Sequence, residues 1–261
     1  MLGAIIGDIA GSRFEFHNHK STDFELFTLS CRPTDDSTMT LAVALALLRS
    51  GGDRNVLPQA AITAMRELGG KYRYGYGSSF RKWLFEDDPK PYGSWGNGAG
   101  MRVSPCGWAA ASLEEALALS DAVTGVTHDH PEGLKGARAI TTAVFLARQG
   151  ASRDEIRKHI TQNYYTLDFT LDEIRPDYRF DVSCQGSVPQ AIEAFLESAS
   201  FEHAIRLAIS IGGDSDTIAA MTGAIAGAFY GIPEDIRNDA LVFLDEARRE
   251  ILFDFEKKYC F

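Results

Sequence analysis

The stretch that decides the fold is Ile211-Gly212-Gly213-Asp214-Ser215-Asp216-Thr217, which leads into small and apolar residues at helical spacing over 218–230. That segment carries Gly223 and Gly227 on one face and ends at Gly231, a residue type common at helix C-termini. Each internal glycine costs a helix roughly 1 kcal/mol relative to alanine. Because close approach of another backbone offsets this cost, the pattern predicts a buried helix.

A second acidic cluster, Pro33-Thr34-Asp35-Asp36-Ser37-Thr38, lies far upstream and opens another apolar helical segment, Met39–Leu48. Carboxylates at a helix start often act as caps, satisfying free N–H groups and complementing the helix dipole. Capping does not require two acids and a threonine at both helices, and four converging carboxylates repel one another unless cations neutralise them.

The two clusters therefore predict two hard divalent ions in an oxygen-only shell, since cysteine and histidine are absent at ligand spacing. We expect Mg²⁺ or Mn²⁺. The predicted ligands are Thr34, Asp35, Asp36, Asp214, Asp216 and Thr217.

Composition favours a helical protein with an ample core. The chain has 261 residues, 45% of them aliphatic or aromatic, with frequent alanine and leucine and few alternating β-branched runs. No segment has the composition of a linker. We therefore predict an all-α fold and one domain over residues 1–261.

Charge and cysteine usage exclude several classes of protein. The net charge of −10 argues against nucleic acid as the main partner, although a nucleotide ligand remains compatible with it. Four scattered cysteines suggest neither a zinc knuckle nor a disulfide framework. The apolar N-terminal segment has no preceding basic residues and is interrupted by Asp8, so no signal peptide is predicted. No apolar run approaches a membrane span, and we expect a cytoplasmic protein without a membrane partner.

Helical periodicity extends over most of the chain. Glycines at 3, 7 and 11 in the first segment predict close packing against the Gly223 helix. The predicted helices are Leu2–Ala10, Met39–Leu48, Arg54–Leu68, Leu113–Val123, Leu134–Arg148, Ser152–Asn163, Val188–Glu197 with Pro189 in its first turn, Phe201–Ile211, the Gly223 helix and Asp235–Phe255. Residues 12–27, 89–105 and 164–183 lack this period and are predicted to be loops.

Six short motifs occur in order along nearly the whole chain. They are Gly7-Asp8-Ile9-Ala10-Gly11 with Glu15, Thr34-Asp35-Asp36, Gly93-Ser94-Trp95-Gly96-Asn97-Gly98 with Met101-Arg102, Thr127-His128, Ser187-Val188-Pro189, and Gly213-Asp214-Ser215-Asp216-Thr217. The set resembles the ADP-ribosylglycohydrolases, a family that includes the dinitrogenase-reductase activating glycohydrolases. The resemblance implies a single compact orthogonal helical domain. It also implies metal-dependent hydrolysis of the bond between C1″ of an ADP-ribosyl group and its acceptor.

Glu15 and Asp35 are the candidate catalytic residues. Glu15 lies between Phe14 and Phe16 in a stretch too aromatic for an ordinary solvated loop, and a partly desolvated carboxylate suits proton transfer. The resemblance matches Glu15 to a glutamate that acts in the serine-directed branch of the family. The alternative is a surface glutamate or a helix-cap partner, in which case Asp35 is the next candidate.

The candidate substrate-binding residues lie mainly in two glycine-rich stretches. Such loops bring backbone N–H groups close to phosphate oxygens, although the Tyr- and Gly-rich stretch 71–79 is equally compatible with a flexible loop. By resemblance, His128 faces the ribose and phosphate. The full set is Gly77, Ser78, Ser94, Trp95, Gly96, Asn97, Gly98, His128 and Ser187.

The residues leave the acceptor open. An ADP-ribosylated protein side chain, such as arginine or serine, or a small ADP-ribosyl conjugate would each release ADP-ribose as product. Two rival functions are a two-metal phosphoesterase acting on a nucleotide and a non-catalytic relative that binds ADP-ribose or has a structural role.

Overall fold

A computed structural model describes residues 1–260, which form fifteen helices and no strand. The all-α prediction is confirmed. The helices are α1 (Leu2–Gly11), α2 (Asp35–Ser50), α3 (Leu57–Lys71), α4 (Ser78–Phe85), α5 (Gly98–Met101), α6 (Ser104–Ala109), α7 (Leu113–Thr124), α8 (Pro131–Arg148), α9 (Arg153–Asn163), α10 (Leu171–Ile174), α11 (Cys184–Leu196), α12 (Phe201–Ser210), α13 (Ser215–Tyr230), α14 (Glu234–Leu241) and α15 (Glu246–Tyr259).

Helices α1 and α13 form the centre of the fold through backbone contact. Every residue of α1 is buried, as are residues 215–226 of α13. A Cβ atom added to Gly3 would lie 2.1 Å from the carbonyl oxygen of Gly223, and one added to Gly7 would lie 2.0 Å from that of Ala219. The glycines of the first helix therefore permit close packing on the Gly223 helix, as predicted.

Replacing Gly7 with alanine is expected to lower the free energy of unfolding by about 3 kcal/mol or more, because the new methyl group forces α1 and α13 apart. Gly70, in α3, is the matched control, since a Cβ there meets nothing within 4 Å. Gly70→Ala is expected to be neutral or to stabilise by up to about 1 kcal/mol. Urea denaturation measures both, and equal transition midpoints for the two variants would contradict the close packing.

All fifteen helices contribute side chains to one continuous apolar cluster. A single domain requires a shared core of this kind. The assignment of one domain to residues 1–261 stays a prediction. Among residues 1–260, no helix is both long enough and apolar enough to cross a membrane.

Four helices, α2, α8, α11 and α13, begin three or four residues earlier than their apolar periodicity indicates. Helix α2 begins at Asp35, because the Thr34 hydroxyl accepts a hydrogen bond from the backbone N–H of Asp36. Helix α11 begins at Cys184, where the Ser183 side chain caps the N–H of Gly186. Pro189 therefore lies inside α11, and its predicted position in the first turn is wrong.

The predicted helix Asp235–Phe255 is two helices. Helix α14 ends at Leu241, and α15 begins after Asp245, whose carboxylate accepts a hydrogen bond from the Arg248 N–H. Asp245 thus caps and starts a second helix, α15, inside a stretch whose apolar spacing continues without a break. The irregular stretches likewise contain the short helices α5 and α10.

Candidate active site

A cavity of about 400 Å³ lies where α2 and α13 begin. Both acidic clusters and both glycine-rich stretches reach it, although they are far apart in the sequence. The predicted site residues that line it are Glu15, Asp35, Asp36, Gly77, Ser78, Ser94, Gly96, Asn97, Gly98, His128, Asp214, Asp216 and Thr217.

Three predicted site residues do not line this cavity. The Thr34 hydroxyl donates to Asp8 Oδ1 at 2.6 Å. The Ser187 hydroxyl, buried in α11, donates to the backbone carbonyl of Ser183 at 2.7 Å. Trp95 is 52% exposed and packs edge-on against His130 beside the glycine loop. These three side chains contact other parts of the protein and do not line the cavity.

The carboxylates form two groups that share Asp216. Carboxylate oxygens of Asp8, Asp36 and Asp216 lie within 4.8 Å of one another, and so do those of Glu15, Asp214 and Asp216. The Thr217 hydroxyl donates to Asp36 Oδ2 at 3.2 Å, which links the start of α13 to that of α2. Either group has the donor chemistry of a divalent-cation site.

Asp8 is a site residue that sequence reasoning missed. Its carboxylate is fully buried and accepts hydrogen bonds from the backbone N–H groups and the hydroxyls of both Thr34 and Ser37. Asp8 therefore anchors the start of α2 from α1, and its lone pairs are largely used in doing so. A single acid inside an otherwise apolar, glycine-spaced helix was the available signal.

Burial and mutual repulsion raise the pKa values of the cluster. Desolvation first, and then repulsion by neighbouring carboxylates, raise the pKa of Asp35 to about 8 and that of Glu15 to about 7. The pKa values of Asp36 and Asp216 also lie well above the usual range, for the same reasons. In the part of the chain that the structure describes, none of these carboxylates forms a salt bridge.

The donor set fits a hard divalent cation. Asp36 Oδ1 is buried and has no hydrogen-bond partner among residues 1–260, an arrangement that is costly for a carboxylate without a compensating charge. The side-chain ligands available in the two carboxylate groups and in Thr217 are all oxygen atoms. Oxygen-only shells of this kind suit Mg²⁺ or Mn²⁺ better than softer ions.

The metal-free protein is expected to lose stability as pH rises from about 5 to 8. Carboxylates whose folded-state pKa is raised bind protons more tightly than the unfolded chain does, so the folded state is favoured at lower pH. Six carboxylates of the acidic cluster act in this sense: Asp8, Glu15, Asp35, Asp36, Asp214 and Asp216. His128 and the Met1 amine, whose pKa values are lowered, act in the opposite sense but are outnumbered.

Urea denaturation at pH 5, 6.5 and 8 in a chelating buffer measures this dependence. Added Mg²⁺ or Mn²⁺ is expected to restore most stability at pH 8, where the carboxylates repel most strongly and bind cations best. Stability that is constant or increases over this range would contradict the carboxylate repulsion.

The glycine loop, residues 93–98, is fastened to the acidic cluster. The Asn97 side chain donates to Asp214 Oδ2 at 2.7 Å, and the Asn97 backbone N–H donates to the carbonyl of Val182 at the same distance. Ser183 bridges Gly96 in an antiparallel pairing. The loop is thereby held against the start of α13, which an isolated glycine-rich segment would not be.

Gly75 brings a second backbone segment onto Asp35. It has a φ of +87°, and a Cβ atom added there would lie 2.0 Å from Asp35 Oδ1. Close approach and left-handed backbone both require glycine at this position. The flexible-loop alternative for residues 71–79 does not account for this contact.

Further lining residues also escaped sequence reasoning: Phe16, Met39, Gly75, Ser79, Phe80, Tyr92, Met101, Arg102, Phe180 and Val182. Most are apolar or aromatic and resemble core or loop residues in the sequence. Arg102 stands out because it is a fully buried cation. Its position after Gly98 in the glycine-rich motif was the only sequence signal.

The fold and the cavity together define an all-helical protein with an acidic, oxygen-rich ligand site. The sequence model of the ADP-ribosylglycohydrolase family matches residues 1–254, so the chain belongs to that family. The resemblance carried by the six motifs is confirmed.

Individual relatives match over most of their length. The chain is 26% identical to ADP-ribosylhydrolase ARH3 of Homo sapiens, with 90% of this chain and 85% of that protein covered. It is 28% identical to ADP-ribosylarginine hydrolase Tri1 of Serratia proteamaculans, with 88% and 70% covered. A solved structure described as an ADP-ribosylglycohydrolase-related protein complex shares the fold, with a TM-score of 0.74, 23% identity, and 98% and 95% coverage.

Proposed function

We propose that the protein hydrolyses the glycosidic bond between C1″ of an ADP-ribosyl group and its acceptor and releases ADP-ribose. The observation that carries the proposal is the convergence of two acidic clusters and a glycine-rich loop on one cavity in a chain of this family. The cavity is large enough for a nucleotide-sized ligand, since small-molecule sites commonly occupy about 300–1,000 Å³.

Glu15 is proposed as the general base. Its carboxylate lies at the cavity, half-buried, with a pKa raised to about 7 by desolvation and by Asp214 and Asp8. A group with a pKa near the operating pH accepts a proton from water effectively. Cleavage at an anomeric carbon develops positive charge on the sugar ring, which the nearby carboxylates stabilise. Asp35 is proposed to assist in this electrostatic role.

The proposed metal ligands are Asp35, Asp36, Asp214, Asp216 and Thr217. These side chains would hold Mg²⁺ or Mn²⁺, whose positive charge would be available to ribose hydroxyls and a water molecule. Thr34, whose hydroxyl is committed to Asp8, is proposed to contribute by holding Asp36 in position. Asp216 belongs to both carboxylate groups, which supports two adjacent cation positions.

The glycine-rich segments are proposed to bind the pyrophosphate. Ser94, Gly96, Asn97 and Gly98 line one wall. At another wall, Gly77 precedes the eight-residue helix α4, which begins at Ser78. Backbone N–H groups at helix starts and in glycine loops favour anions. Trp95, whose exposed side chain is on the glycine loop itself, is proposed to contact the adenosine half from outside the cavity. Ser187 is proposed to support the loop through α11.

The acceptor is proposed to be a protein side chain or a small conjugate. One relative is named an ADP-ribosylarginine hydrolase, which makes ADP-ribosylated arginine the first substrate to test. ADP-ribosylated serine is the second, because the family resemblance matches Glu15 to a glutamate of the serine-directed branch.

A panel of defined ADP-ribosyl conjugates, assayed with Mg²⁺ or Mn²⁺ for free ADP-ribose and for AMP, tests the function. ADP-ribose without AMP is expected. Release of AMP, which hydrolysis of the pyrophosphate bond would give together with a ribose-5-phosphate conjugate, would favour the phosphoesterase alternative. Binding without turnover of any conjugate would favour the non-catalytic one. Free ADP-ribose is expected to compete much better than ribose-5-phosphate. Equal inhibition by both would contradict the proposed pyrophosphate contacts.

A further inference from the structure

A buried guanidinium faces the cavity without a carboxylate partner. Arg102 is 1% exposed and lines the cavity beside the glycine loop. Among residues 1–260 it forms no salt bridge, and its Nε has no hydrogen-bond partner. An uncompensated buried charge is costly, so its contacts require a physical explanation.

Arg102 donates to a hydroxyl and to a histidine. Its Nη2 lies 2.5 Å from Thr127 Oγ1 and 3.3 Å from His128 Nδ1. The Thr127 hydroxyl in turn lies 2.7 Å from His128 Nδ1. Because a guanidinium only donates, Thr127 Oγ1 accepts from Arg102. The hydroxyl hydrogen is then available for Nδ1, since its other acceptor, the Thr124 carbonyl, is 3.5 Å away.

Two donors therefore converge on Nδ1 of His128. A ring nitrogen that accepts cannot carry the hydrogen in the neutral imidazole, so the hydrogen is on Nε2. Burial and the Arg102 charge lower the pKa of His128 well below its usual range, which keeps the ring neutral.

Nε2 lies against the glycine loop. A Cβ atom added to Gly98 would lie 3.2 Å from Nε2, and one added to Gly96 would lie 3.7 Å away. The Nε2–H group is thus a fixed donor at the wall where the pyrophosphate is proposed to bind.

We propose that Arg102 and Thr127 form a positioning pair that locks His128 in its Nε2–H tautomer, so that the ring donates to a phosphate oxygen held at the glycine loop. The buried Arg102 charge also attracts the anion through the cavity wall. Arg102 acts through His128 and is a positioning residue. The inference rests on the proposed function for the identity of the ligand, ADP-ribose.

Nuclear magnetic resonance of protein labelled with ¹⁵N at histidine reads the tautomer directly. The His128 signals are identified by their loss in a His128→Gln variant. Wild-type His128 is expected to show a protonated Nε2 and an unprotonated Nδ1. Thr127→Val removes the hydroxyl donor and is expected to give mixed tautomers and to weaken ADP-ribose binding about 10-fold. Arg102→Met is expected to weaken it about 10- to 100-fold.

Two variants serve as controls. Thr127→Ser keeps the hydroxyl and is expected to retain the wild-type tautomer and affinity. Thr124→Val makes the same chemical change one helical turn away, at a buried hydroxyl without a hydrogen-bond partner among residues 1–260, and is expected to alter neither. Mn²⁺ binding, measured calorimetrically, is expected to stay unchanged in all of them, which shows that each is folded. If Arg102→Met does not fold, the tautomer and the ADP-ribose affinity of Thr127→Val still decide the test.

The proposal is overturned if wild-type His128 carries its hydrogen on Nδ1, or if Thr127→Val changes neither the tautomer nor the affinity. Inorganic pyrophosphate is the second probe. If wild-type protein binds pyrophosphate but not ADP-ribose, the proposed function fails, while the same variants still test the positioning pair.

Discussion

Replacing Glu15 with glutamine is expected to lower kcat by about 10²- to 10⁴-fold, the usual cost of removing a general base. The substitution keeps the size of the side chain and deletes its proton-accepting oxygen. Glu15 reaches the cavity from the loop after α1, beside Asp214 and Asp216, and its raised pKa of about 7 suits proton transfer near neutrality. Steady-state hydrolysis of the best conjugate from the panel measures the effect.

The same variant separates catalysis from metal binding. The Glu15 carboxylate lies within 4.8 Å of two predicted ligands, so it has the geometry of a ligand as well as that of a base. A base is expected to leave Mn²⁺ and ADP-ribose affinity nearly unchanged, whereas a ligand would weaken Mn²⁺ binding in parallel with kcat. Glu25→Gln, at an exposed position in the same loop, is the matched control. A Glu15→Gln protein with wild-type kcat would move the catalytic role to Asp35.

The fold was predictable where local pattern and tertiary packing agree. Glycines spaced by four along α1 do not stabilise the helix itself, which suggests a packing role, and the structure shows them against the backbone of α13. Helix starts were less predictable, because side chains outside the apolar period set them. Ser183 extends α11 backward past Pro189, and Asp245 begins α15 inside a continuous apolar pattern.

The candidate site was predictable only where its residues form short motifs. The two acidic clusters and the glycine loop can each be recognised from a few consecutive residues, and the structure brings them to one cavity. Asp8 and Arg102 also lie in short motifs, but those motifs do not indicate what the two side chains do. Their roles come from neighbours far along the chain, Thr34 for Asp8 and Thr127 for Arg102. Ser187 carries a motif but faces the backbone of its own helix.

Replacing Asp216 with asparagine is expected to have the largest effect on metal binding, because Asp216 belongs to both carboxylate groups. We expect Mn²⁺ affinity to fall at least about 10- to 100-fold, since even residues that only support metal ligands have effects of this size. Hydrolysis is expected to fall with it. Calorimetric titration of metal-stripped protein measures the affinity, and Asp168→Asn, which removes the same charge at an exposed loop position, is the matched control.

The metal-free Asp216→Asn protein is expected to be at least as stable as the metal-free wild type. Desolvation by burial, followed by repulsion from Asp36 and Asp214, raises the pKa of Asp216, so removing its charge relieves both costs within the buried cluster. Mn²⁺ stabilises a protein only as far as it binds the folded state. The stabilisation that Mn²⁺ gives to the wild-type protein is therefore expected to be largely absent in Asp216→Asn. Thermal unfolding at pH 8 with and without Mn²⁺ measures both quantities. A destabilised metal-free variant that still binds Mn²⁺ normally would show that Asp216 serves the packing of α13 and not the ion.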